Sequence, residues 1–311
     1  MKKVLITGGS GFLGKNLAIK LKKKYKVYIS GRNIDLNNDV ENETGCLSIP
    51  LDVSNIESVK DAFNLVKPDI VIHSAANKYV GSCEKNSLSC IDTNVLGSQN
   101  IARIAIDKKV KSVIGISTDK ATPPVNNTYG LTKSIMERMF CNLSNDKTNF
   151  ACVRFGNIAW STGSVFPIWQ KMILKKNIIE STGPNMRRYF FSVDEASDLV
   201  IKTLDNIKVF NGKIVATKMK SSEIKKILEI WCKEYKTSWK RIKKREGDSE
   251  DEYLIGNSEL QFSREIIINN FHYIVIDYKK PLPKSKQFKK VLSTKNAKKL
   301  NNKEILKLIK Y

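Results

Sequence analysis

The segment TGGSGFLG, residues 7–14, constrains the fold of this chain more than any other feature. It follows an apolar run, KVLIT (3–7), that is typical of a strand. It opens a stretch from Phe12 to Lys24 in which leucine recurs at every fourth position, the spacing of a helix buried on one face. A glycine-rich turn between a strand and a helix is the setting that a phosphate-binding loop requires.

The three glycines of this loop have separate physical roles. Gly8 permits the tight turn, Gly11 lets the backbone approach a pyrophosphate, and Gly14 lets the helix pack close to the strand. A purely structural turn would also explain one such pattern. The position of the loop at the start of a strand–helix alternation is what favours a phosphate-binding role. We therefore predict a dinucleotide site here.

The first half of the chain alternates short β-branched runs with amphipathic stretches. Further strands are predicted at 26–30, 46–50, 69–76, 112–118 and 150–156. A helix is predicted from Ser54, and the polar residues 33–45 are predicted to form a surface loop. This order favours an α/β fold with a doubly wound parallel sheet of the Rossmann type.

After Asn157 the alternation breaks, and glycine and proline separate shorter elements. We predict a dinucleotide-binding domain over 1–160, to which residues 190–218 return. We assign 161–311 mainly to a smaller C-terminal substrate-binding lobe with a basic tail. The segment KEILKLIK (303–310) is expected to form a terminal helix.

The end of the second strand bears on the choice between NAD and NADP. NAD sites usually place a carboxylate there to hold the ribose hydroxyls. Here Gly31 is followed by Arg32, and the first carboxylate is Asp35. An arginine can pair with a 2′-phosphate, so we predict NADP, with a solvated loop arginine as the alternative. Asp52, after the third strand, is expected to reach the adenine amino group.

Groups that transfer protons cluster in STDKATPPVNNTYGLTK, residues 117–133. Asp119 and Lys120 follow a predicted strand, where open α/β sheets bind their ligands. Tyr129 and Lys133 are four residues apart, on one side of a predicted helix. A cationic lysine near the phenol and an oxidised nicotinamide would lower the pKa of the tyrosine and make it a usable base.

This combination resembles the extended short-chain dehydrogenase/reductase family over essentially the whole chain. It is most similar to the UDP-N-acetylglucosamine 4,6-dehydratases, and among them to the soluble enzymes that invert C5. Beyond the 117–133 segment, four more signatures follow the order of that family: IHSAANKYV (72–80), RFGNIAWSTGSV (154–165), MRRYFFSVDEA (186–196) and REGDSEDEYLI (245–255).

The resemblance implies a mechanism. Tyr129 deprotonates the C4 hydroxyl while NADP takes the C4 hydride, and Lys133 binds the nicotinamide ribose. Lys120 then removes H5, Asp119 protonates the departing C6 hydroxyl, and hydride returns to C6. The implied product is UDP-2-acetamido-2,6-dideoxy-β-L-arabino-hexos-4-ulose. Thr118 completes the implied catalytic set.

The resemblance also implies two binding sets. The cofactor set comprises Gly8, Gly11, Phe12, Leu13, Gly14, Arg32, Asp52, Val53, Ala75, Ala76, Asn94, Tyr129 and Lys133. The substrate set comprises Lys78, Asn157, Val165, Thr182, Met186, Arg188, Arg245 and Asp248. The arginines suit a diphosphate, and Asp248 suits ribose hydroxyls. Two departures stand out: the loop between Lys120 and Tyr129 is one residue longer than usual, and Asp248 replaces the usual glutamate.

The composition argues against several classes of function. The net charge is +23, but 45 of the 54 basic residues are lysines spread along the chain without interleaved aromatics, so we expect no nucleic acid partner. The basic tail from Lys279 is the exception to that dispersion. Six cysteines without metal-ligand spacing suggest no metal. Several of them lie inside apolar runs, which suggests buried free thiols and a cytoplasmic location. No apolar run is long enough to span a membrane.

Other functions remain open at this stage. A sugar 4-epimerase would share the glycine loop and the Tyr129/Lys133 pair but would not need Asp119 and Lys120. A non-catalytic NADP-binding sensor or a basic nucleic-acid binder belongs to a different class. Relatives are commonly oligomeric, so a homo-oligomer, either a dimer or a hexamer, is expected.

Overall fold

A computed structural model describes residues 1–243 and 247–310. Its strands are β1 (Lys3–Thr7), β2 (Lys26–Gly31), β3 (Leu47–Pro50), β4 (Ile70–His73), β5 (Ser112–Thr118), β6 (Asn149–Phe155), β7 (Asn157–Ile158), β8 (Ile178–Ser181), β9 (Arg187–Phe191), β10 (Lys213–Ala216), β11 (Ser221–Glu223), β12 (Ser238–Arg241), β13 (Tyr253–Ile255), β14 (Ser263–Ile268), β15 (Phe271–Ile276) and β16 (Leu292–Ser293).

The α-helices are α1 (Phe12–Leu21), α2 (Ile34–Thr44), α3 (Ile56–Val66), α4 (Val80–Lys85), α5 (Ser87–Ile91), α6 (Gly97–Asp107), α7 (Thr128–Leu143), α8 (Val165–Lys176), α9 (Val193–Asp205), α10 (Ile207–Phe210), α11 (Ile224–Tyr235) and α12 (Asn302–Ile309). A π-helical turn (Asp92–Leu96) joins α5 to α6, and 3₁₀ turns occupy Asp119–Ala121, Asn257–Phe262 and Lys284–Lys286.

A nine-stranded sheet forms the centre of the molecule, in the order β14-β15-β10-β6-β5-β4-β1-β2-β3. The seven strands from β10 to β3 are parallel, whereas β15 and β14 pair antiparallel at one edge. The strand order reverses between β1 and β4, which opens a crevice at their carboxyl ends. The predicted doubly wound α/β fold is confirmed.

Both faces of this sheet are buried because alternate residues of a strand point to opposite sides. Val4 and Ile6 of β1 pack with α1 and α9 on one face. Leu5 packs with α3, α6 and α7 on the other. A third cluster, rich in aromatic residues, forms the core of a smaller lobe built largely from α8, α11 and α12.

Two assignments made from the sequence need correction. Residues 33–45 are not a loop, because α2 occupies most of them: Asn33 caps its first turn through the Leu36 N–H, and Gly45 ends it with φ of +68°. Residues 263–276, assigned to the substrate lobe, form a β-hairpin that extends the central sheet.

The cysteines confirm the expectation of buried free thiols only in part. Cys83 and Cys90 are joined by a disulfide between α4 and α5. Cys46, Cys141 and Cys152 are free and buried, as the sequence suggested. The thiol argument for a reducing compartment therefore applies to these three residues and not to the disulfide pair.

Within residues 1–243 and 247–310, no helix combines the length and the apolar character that a membrane crossing needs.

Candidate active site

The site forms where the central parallel strands end. The glycine loop follows β1, residues 74–79 follow β4, and Asp119 and Lys120 follow β5. Because these strands are parallel neighbours, their carboxyl ends meet at one edge of the sheet. The smaller lobe contributes β9 and the segment leading into β13 from the other side.

The glycine loop is shaped for close backbone approach. Gly8 has φ of +66°, and a Cβ there would lie 2.7 Å from the Ala75 nitrogen. A Cβ at Gly14 would lie 2.5 Å from the Gly8 oxygen, so α1 packs directly on the turn. No side chain caps the first turn of α1, and no carboxylate lies in it. A helix terminus of this kind suits a pyrophosphate, and the predicted dinucleotide contact stays a prediction.

Asn94 fixes the loop that follows β4, residues 74–79. Its amide oxygen accepts the Asn77 N–H at 2.7 Å, and its amide nitrogen donates to the Asn77 carbonyl at 2.9 Å and to the Thr132 hydroxyl at 3.0 Å. The residue is 1% exposed. These bonds tie the chain after Ala75 and Ala76 to α7, so Asn94 holds that loop in place, and its direct cofactor contact stays a prediction.

Asp119 and Lys120 form a buried ion pair. Lys120 Nζ lies 3.1 Å from Asp119 Oδ1, which also accepts a hydrogen bond from the Thr118 hydroxyl at 3.0 Å. Burial works to lower the pKa of Lys120, but the Asp119 and Glu252 carboxylates outweigh it, and the pKa lies well above its ordinary value. Lys120 is thus an ammonium in the protein alone.

The other oxygen of Asp119, Oδ2, is buried and has no hydrogen-bond partner. A buried carboxylate oxygen without a donor is costly unless a ligand or a proton satisfies it. Asp119 Oδ2 is therefore a position at which a ligand hydroxyl would be bound. The Ser117 hydroxyl, next to it in the chain, is also buried and unpartnered.

Tyr129 lies in the first turn of α7, held against Lys120. Asn127 caps this turn through the Gly130 N–H at 2.8 Å. A Cβ at position 130 would lie 2.1 Å from the Lys120 carbonyl oxygen, so only glycine lets the helix approach this closely. The extra residue noted between Lys120 and Tyr129 is accommodated in this loop, where the Pro123–Pro124 peptide bond is cis.

The two ionisable groups of the Tyr-Lys pair are shifted by burial. Burial raises the pKa of Tyr129 to about 12, although the Lys120 ammonium and a hydrogen bond with Thr118 work to lower it. Burial lowers the pKa of Lys133 to about 8. The predicted lowering of the Tyr129 pKa is thus not a property of the protein alone. The helix α7 does hold both residues one turn apart.

Arg188 and Met186 lie at the smaller-lobe side of the site. Arg188 is 8% exposed and donates to the Ser249 carbonyl at 2.9 Å and to Met186 Sδ at 3.2 Å. Asn157 Oδ1 lies 3.5 Å from Lys120 Nζ. Asn157 and Arg188 therefore lie near Lys120, and Met186 contacts Arg188.

Other predicted residues are placed without direct contact to that pair. Arg32 is exposed at the end of β2 and has no ion-pair partner among the described residues. Asp52 Oδ1 accepts from the N–H and hydroxyl of Ser54, and its contact with adenine stays a prediction. Val53 is buried against Gly97.

The remaining substrate predictions differ in how far they can be located. Lys78 is exposed beside the Tyr79 ring, and Val165 begins α8. Thr182 follows β8, and Asp248 is half-buried after Gly247. Arg245 lies outside the described residues.

Glu252 is the site residue that the sequence analysis did not single out. It precedes β13, is 6% exposed, and lies 3.6 Å from Lys120 Nζ and 3.7 Å from Arg188 Nε. Its signal in the sequence was faint: a carboxylate among four acidic residues in GDSEDEYLI, directly before an apolar run. The contact with Lys120 joins residues far apart in the chain, so no local pattern predicts it.

A glycine loop at the crevice of a doubly wound sheet, with a tyrosine and a lysine one helical turn apart beside it, defines an enzyme of the extended short-chain dehydrogenase/reductase class. Residues 4–267 match the family described as polysaccharide biosynthesis protein. The chain belongs to that family.

Curated relatives of this chain carry different names. An uncharacterized membrane protein of Methanocaldococcus jannaschii is 34% identical over 99% of this chain and 95% of the relative. A UDP-glucose 4-epimerase of Rickettsia bellii is 31% identical over 99% and 95%. An inverting UDP-N-acetylglucosamine 4,6-dehydratase of Campylobacter jejuni is 31% identical over 85% and 80%.

Among solved structures, that of Pen from Bacillus thuringiensis matches with a TM-score of 0.89 and 27% identity, covering 99% of this chain and 96% of Pen. The similarity therefore includes the smaller lobe as well as the central sheet.

Proposed function

We propose that this protein is a UDP-N-acetylglucosamine 4,6-dehydratase that inverts C5. The observation that carries the proposal is Asp119: its Oδ2 is buried and unpartnered, while its Oδ1 is paired with Lys120. Elimination of water needs an acid that meets the departing C6 hydroxyl, and an unpartnered carboxylate oxygen is a group suited to that role. The similarity to the Campylobacter jejuni dehydratase supports the same reaction.

The chain's own residues would divide the chemistry. Tyr129 takes the proton of the C4 hydroxyl, and Asp119 gives a proton to the C6 hydroxyl as it leaves. Arg188 binds the diphosphate of the substrate. A nicotinamide cofactor, when bound, supplies the acceptor for the C4 hydride and returns that hydride to C6. Lys120, whose Nζ lies 3.1 Å from Asp119 Oδ1, passes its proton to that carboxylate and then removes H5. C5 gains its new proton from Tyr129, which holds the proton of the C4 hydroxyl.

We propose NADP as the cofactor, held by the glycine loop, Lys133 and Arg32. The glycine cradle fits a pyrophosphate, and Arg32 is a cation that no described residue neutralises. Structural neighbours of the same fold contain NAD, so the 2′-phosphate contact is the point in question. Heat-denatured protein is expected to release NADP, and release of NAD alone would contradict this assignment.

The same proposal includes a homo-oligomer, either a dimer or a hexamer, in the cytoplasm, with neither a membrane nor nucleic acid as a partner. The dispersed lysines support the last point. Sedimentation velocity and cell fractionation test them directly.

A 4-epimerase is the second candidate, because the Rickettsia bellii relative aligns along nearly the whole chain. The two reactions differ in product mass, since only the dehydratase loses water. Incubation with UDP-N-acetylglucosamine in deuterated water, followed by mass spectrometry and NMR, decides between them. We expect loss of water, solvent deuterium at C5 and proton couplings of the L-arabino ring. A product of unchanged mass inverted at C4 would establish the epimerase instead.

A further inference from the structure

The helices α4 and α5 are short, and each of them has a single buried residue. In α4 that residue is Cys83, and in α5 it is Cys90. The two cysteines are joined by a disulfide, with their Cα atoms 5.2 Å apart. A helix of five or six residues depends on packing for its stability. The disulfide therefore takes the place of an apolar core for these two helices.

Both sulfurs lie against the hydrogen bonds that fix the loop after β4. The Asn94 side-chain amide donates to Cys90 Sγ at 3.3 Å, and Cys83 Sγ lies 3.6 Å from the Asn77 carbonyl oxygen. Asn94 is also the residue that holds Asn77 through its amide oxygen and its amide nitrogen. A chemical change at the sulfurs therefore acts directly on residues 74–79, which follow β4 at the carboxyl edge of the sheet.

The same two helices contact the first turn of α7. Glu84 Oε1 of α4 accepts the Thr128 N–H at 2.6 Å, one residue before Tyr129. From α5, Cys90 Sγ lies 3.8 Å from the Thr132 hydroxyl, which donates to the Tyr129 carbonyl at 2.8 Å. The backbone of Tyr129 is thus flanked by two contacts that lead back to the disulfide.

The disulfide is buried beneath a thin part of the protein. Cys83 and Cys90 are themselves 0% exposed. The residues around them in the chain, 81–82 and 84–88, are exposed. Opening a short exposed helix breaks few contacts, and local unfolding of this kind lets a reagent reach buried groups. Thiol–disulfide exchange at this pair therefore does not require the central sheet to unfold.

The redox state of the other cysteines bears on the meaning of this disulfide. Cys46, Cys141, Cys152 and Cys232 are free, so the pair does not belong to a generally oxidised protein. The proposed location is the cytoplasm, where thiols are kept reduced. Disulfides of cytoplasmic proteins are usually transient and serve catalysis or redox sensing. A single disulfide among free thiols, placed beside the site, fits such a role.

We propose that Cys83 and Cys90 form a redox site that controls the candidate active site, with a dithiol as its reductant. This inference goes beyond the proposed function and holds for either sugar reaction. A thiolate of the dithiol attacks one sulfur, the bond between the two cysteines breaks, and a mixed disulfide forms. The second thiol of the reductant then displaces the cysteine. The reductant leaves as a disulfide, and its two electrons and two protons remain on Cys83 and Cys90.

Reduction changes the site in two ways. The helix α4 loses its bond to α5, so Glu84 is held less firmly at the start of α7. The free Cys83 thiol also gains a hydrogen for the Asn77 carbonyl, in competition with Asn94. The oxidised protein therefore holds the loop after β4 and the backbone of Tyr129 in place, and the reduced protein holds them loosely.

The test compares oxidised and dithiothreitol-reduced wild-type protein by amide hydrogen exchange. The amides of Asn77 and Thr128 report on the loop and on α7, and those of β1 report on the fold. Reduction should speed exchange at Asn77 and Thr128 by about 10- to 100-fold, the order expected when a cross-link over so short a loop is removed. Exchange in β1 should not change, which shows that the reduced protein is folded. Oxidised glutathione should restore the slow exchange.

Two variants complete the test. Cys83→Ser/Cys90→Ser should exchange as reduced wild type does, with or without dithiothreitol. Cys232→Ser changes a free cysteine of the smaller lobe and should keep the full response. Turnover of UDP-N-acetylglucosamine should fall on reduction in wild type and in Cys232→Ser, and should not respond in the double variant.

The outcomes separate this inference from the proposed function. Exchange at Asn77 and Thr128 that differs by less than about threefold between the two states, below the range for a lost cross-link, would overturn the inference. Measurable turnover that is equal in both states while exchange responds would overturn it as well. Exchange that responds in a protein without activity on this sugar would support the redox site and overturn the proposed function alone.

Discussion

The buried ammonium of Lys133 has a weak hydrogen-bond acceptor as its neighbour. The residue is 2% exposed, and its Nζ contacts the Met136 sulfur at 3.2 Å, which is a weak acceptor. Burial lowers its pKa from 10.5 to about 8. A buried ammonium with so weak a partner lowers the free energy of unfolding, and that loss is measurable.

Replacing Lys133 by methionine should stabilise the nucleotide-free protein by about 1–3 kcal/mol at pH 7. The unfolded chain binds more protons than the folded one between pH 8 and 10.5, so the free energy of unfolding of wild type should rise over that interval. The rise should vanish in the variant. Urea denaturation at both ends of the interval measures it.

The matched control for this prediction is Lys23→Met on the exposed surface. It should change the free energy of unfolding by less than about 0.5 kcal/mol at either pH. Equal stability of Lys133→Met and wild type at pH 7 would show that the ammonium is satisfied in solution.

The residues of the site were predictable where their pattern is local. Asp119, Lys120 and Tyr129 lie within eleven residues of sequence, and the structure brings them together. Glu252 joins them only because β13 packs behind the 3₁₀ turn that follows β5. A contact across more than 130 residues leaves no periodic trace in the chain.

At the scale of elements, one buried arginine connects several parts of the site. Arg154 of β6 donates to Glu137 of α7 at 2.9 and 2.6 Å and to Glu259 at 2.9 and 3.0 Å. It also donates to the Thr122 hydroxyl at 2.9 Å. The guanidinium is fully buried. This network braces the helix of Tyr129 against the turn of Lys120.

Arg154→Met should destabilise the protein by about 3–5 kcal/mol, because it leaves two buried carboxylates without a counter-ion. Both carboxyl groups would take up protons more readily in the folded variant. The deficit should therefore be smaller at pH 5 than at pH 8. Denaturant unfolding at the two pH values is the measurement.

An exposed pair provides the control for the arginine network. Lys60 and Glu57 form a surface ion pair on α3. Lys60→Met should cost less than about 1 kcal/mol. A deficit of Arg154→Met that grows as the pH falls would contradict the account.

Two elements were not predicted from the sequence: α2 and the hairpin of β14 and β15. Each has a local capping or turn signal, but its polar composition hid the hydrophobic pattern. In α2 the buried residues are Asn37, Val40 and Thr44, so an apolar count found no helical stripe. The hairpin of β14 and β15 turns at Asn269 and Asn270, both with positive φ, as two-residue hairpin turns require. Capping and turn chemistry outweighed hydrophobic periodicity at both places.

At the scale of the molecule, the C-terminal residues complete the smaller lobe. Ile305 and Ile309 of α12 are fully buried in the aromatic cluster that contains Trp231. The Trp160 ring nitrogen donates to the Leu308 carbonyl at 2.9 Å. The basic tail, considered above as a binder of nucleic acid, is in this part a structural element.

The double substitution Ile305→Ala/Ile309→Ala should loosen this lobe. Each truncation of a buried isoleucine costs about 2–4 kcal/mol. Tryptophan fluorescence should shift to longer wavelength as water reaches the cluster, and the melting temperature should fall. Lys307→Ala, on the exposed face of the same helix, should change neither. Unchanged fluorescence in the double variant would contradict this role.

The prediction from sequence was strongest for the architecture and weakest for lobe membership. Seven parallel strands follow a local alternation that periodicity detects. The antiparallel hairpin beside β10 depends on pairing across 50 or more residues, which composition does not encode. A boundary between the lobes that is set by position in the sequence is therefore wrong where the chain returns to the central sheet.

The hydrogen bonds between Glu252 and Thr294 determine when, during synthesis of the chain, this part of the site can form. When residue 216 has left the ribosome, the glycine loop, Tyr129 and all seven parallel strands have been synthesised. The segment that positions Glu252 is fixed only after Thr294 emerges. A growing chain would thus be able to hold a nucleotide well before it could act on a sugar.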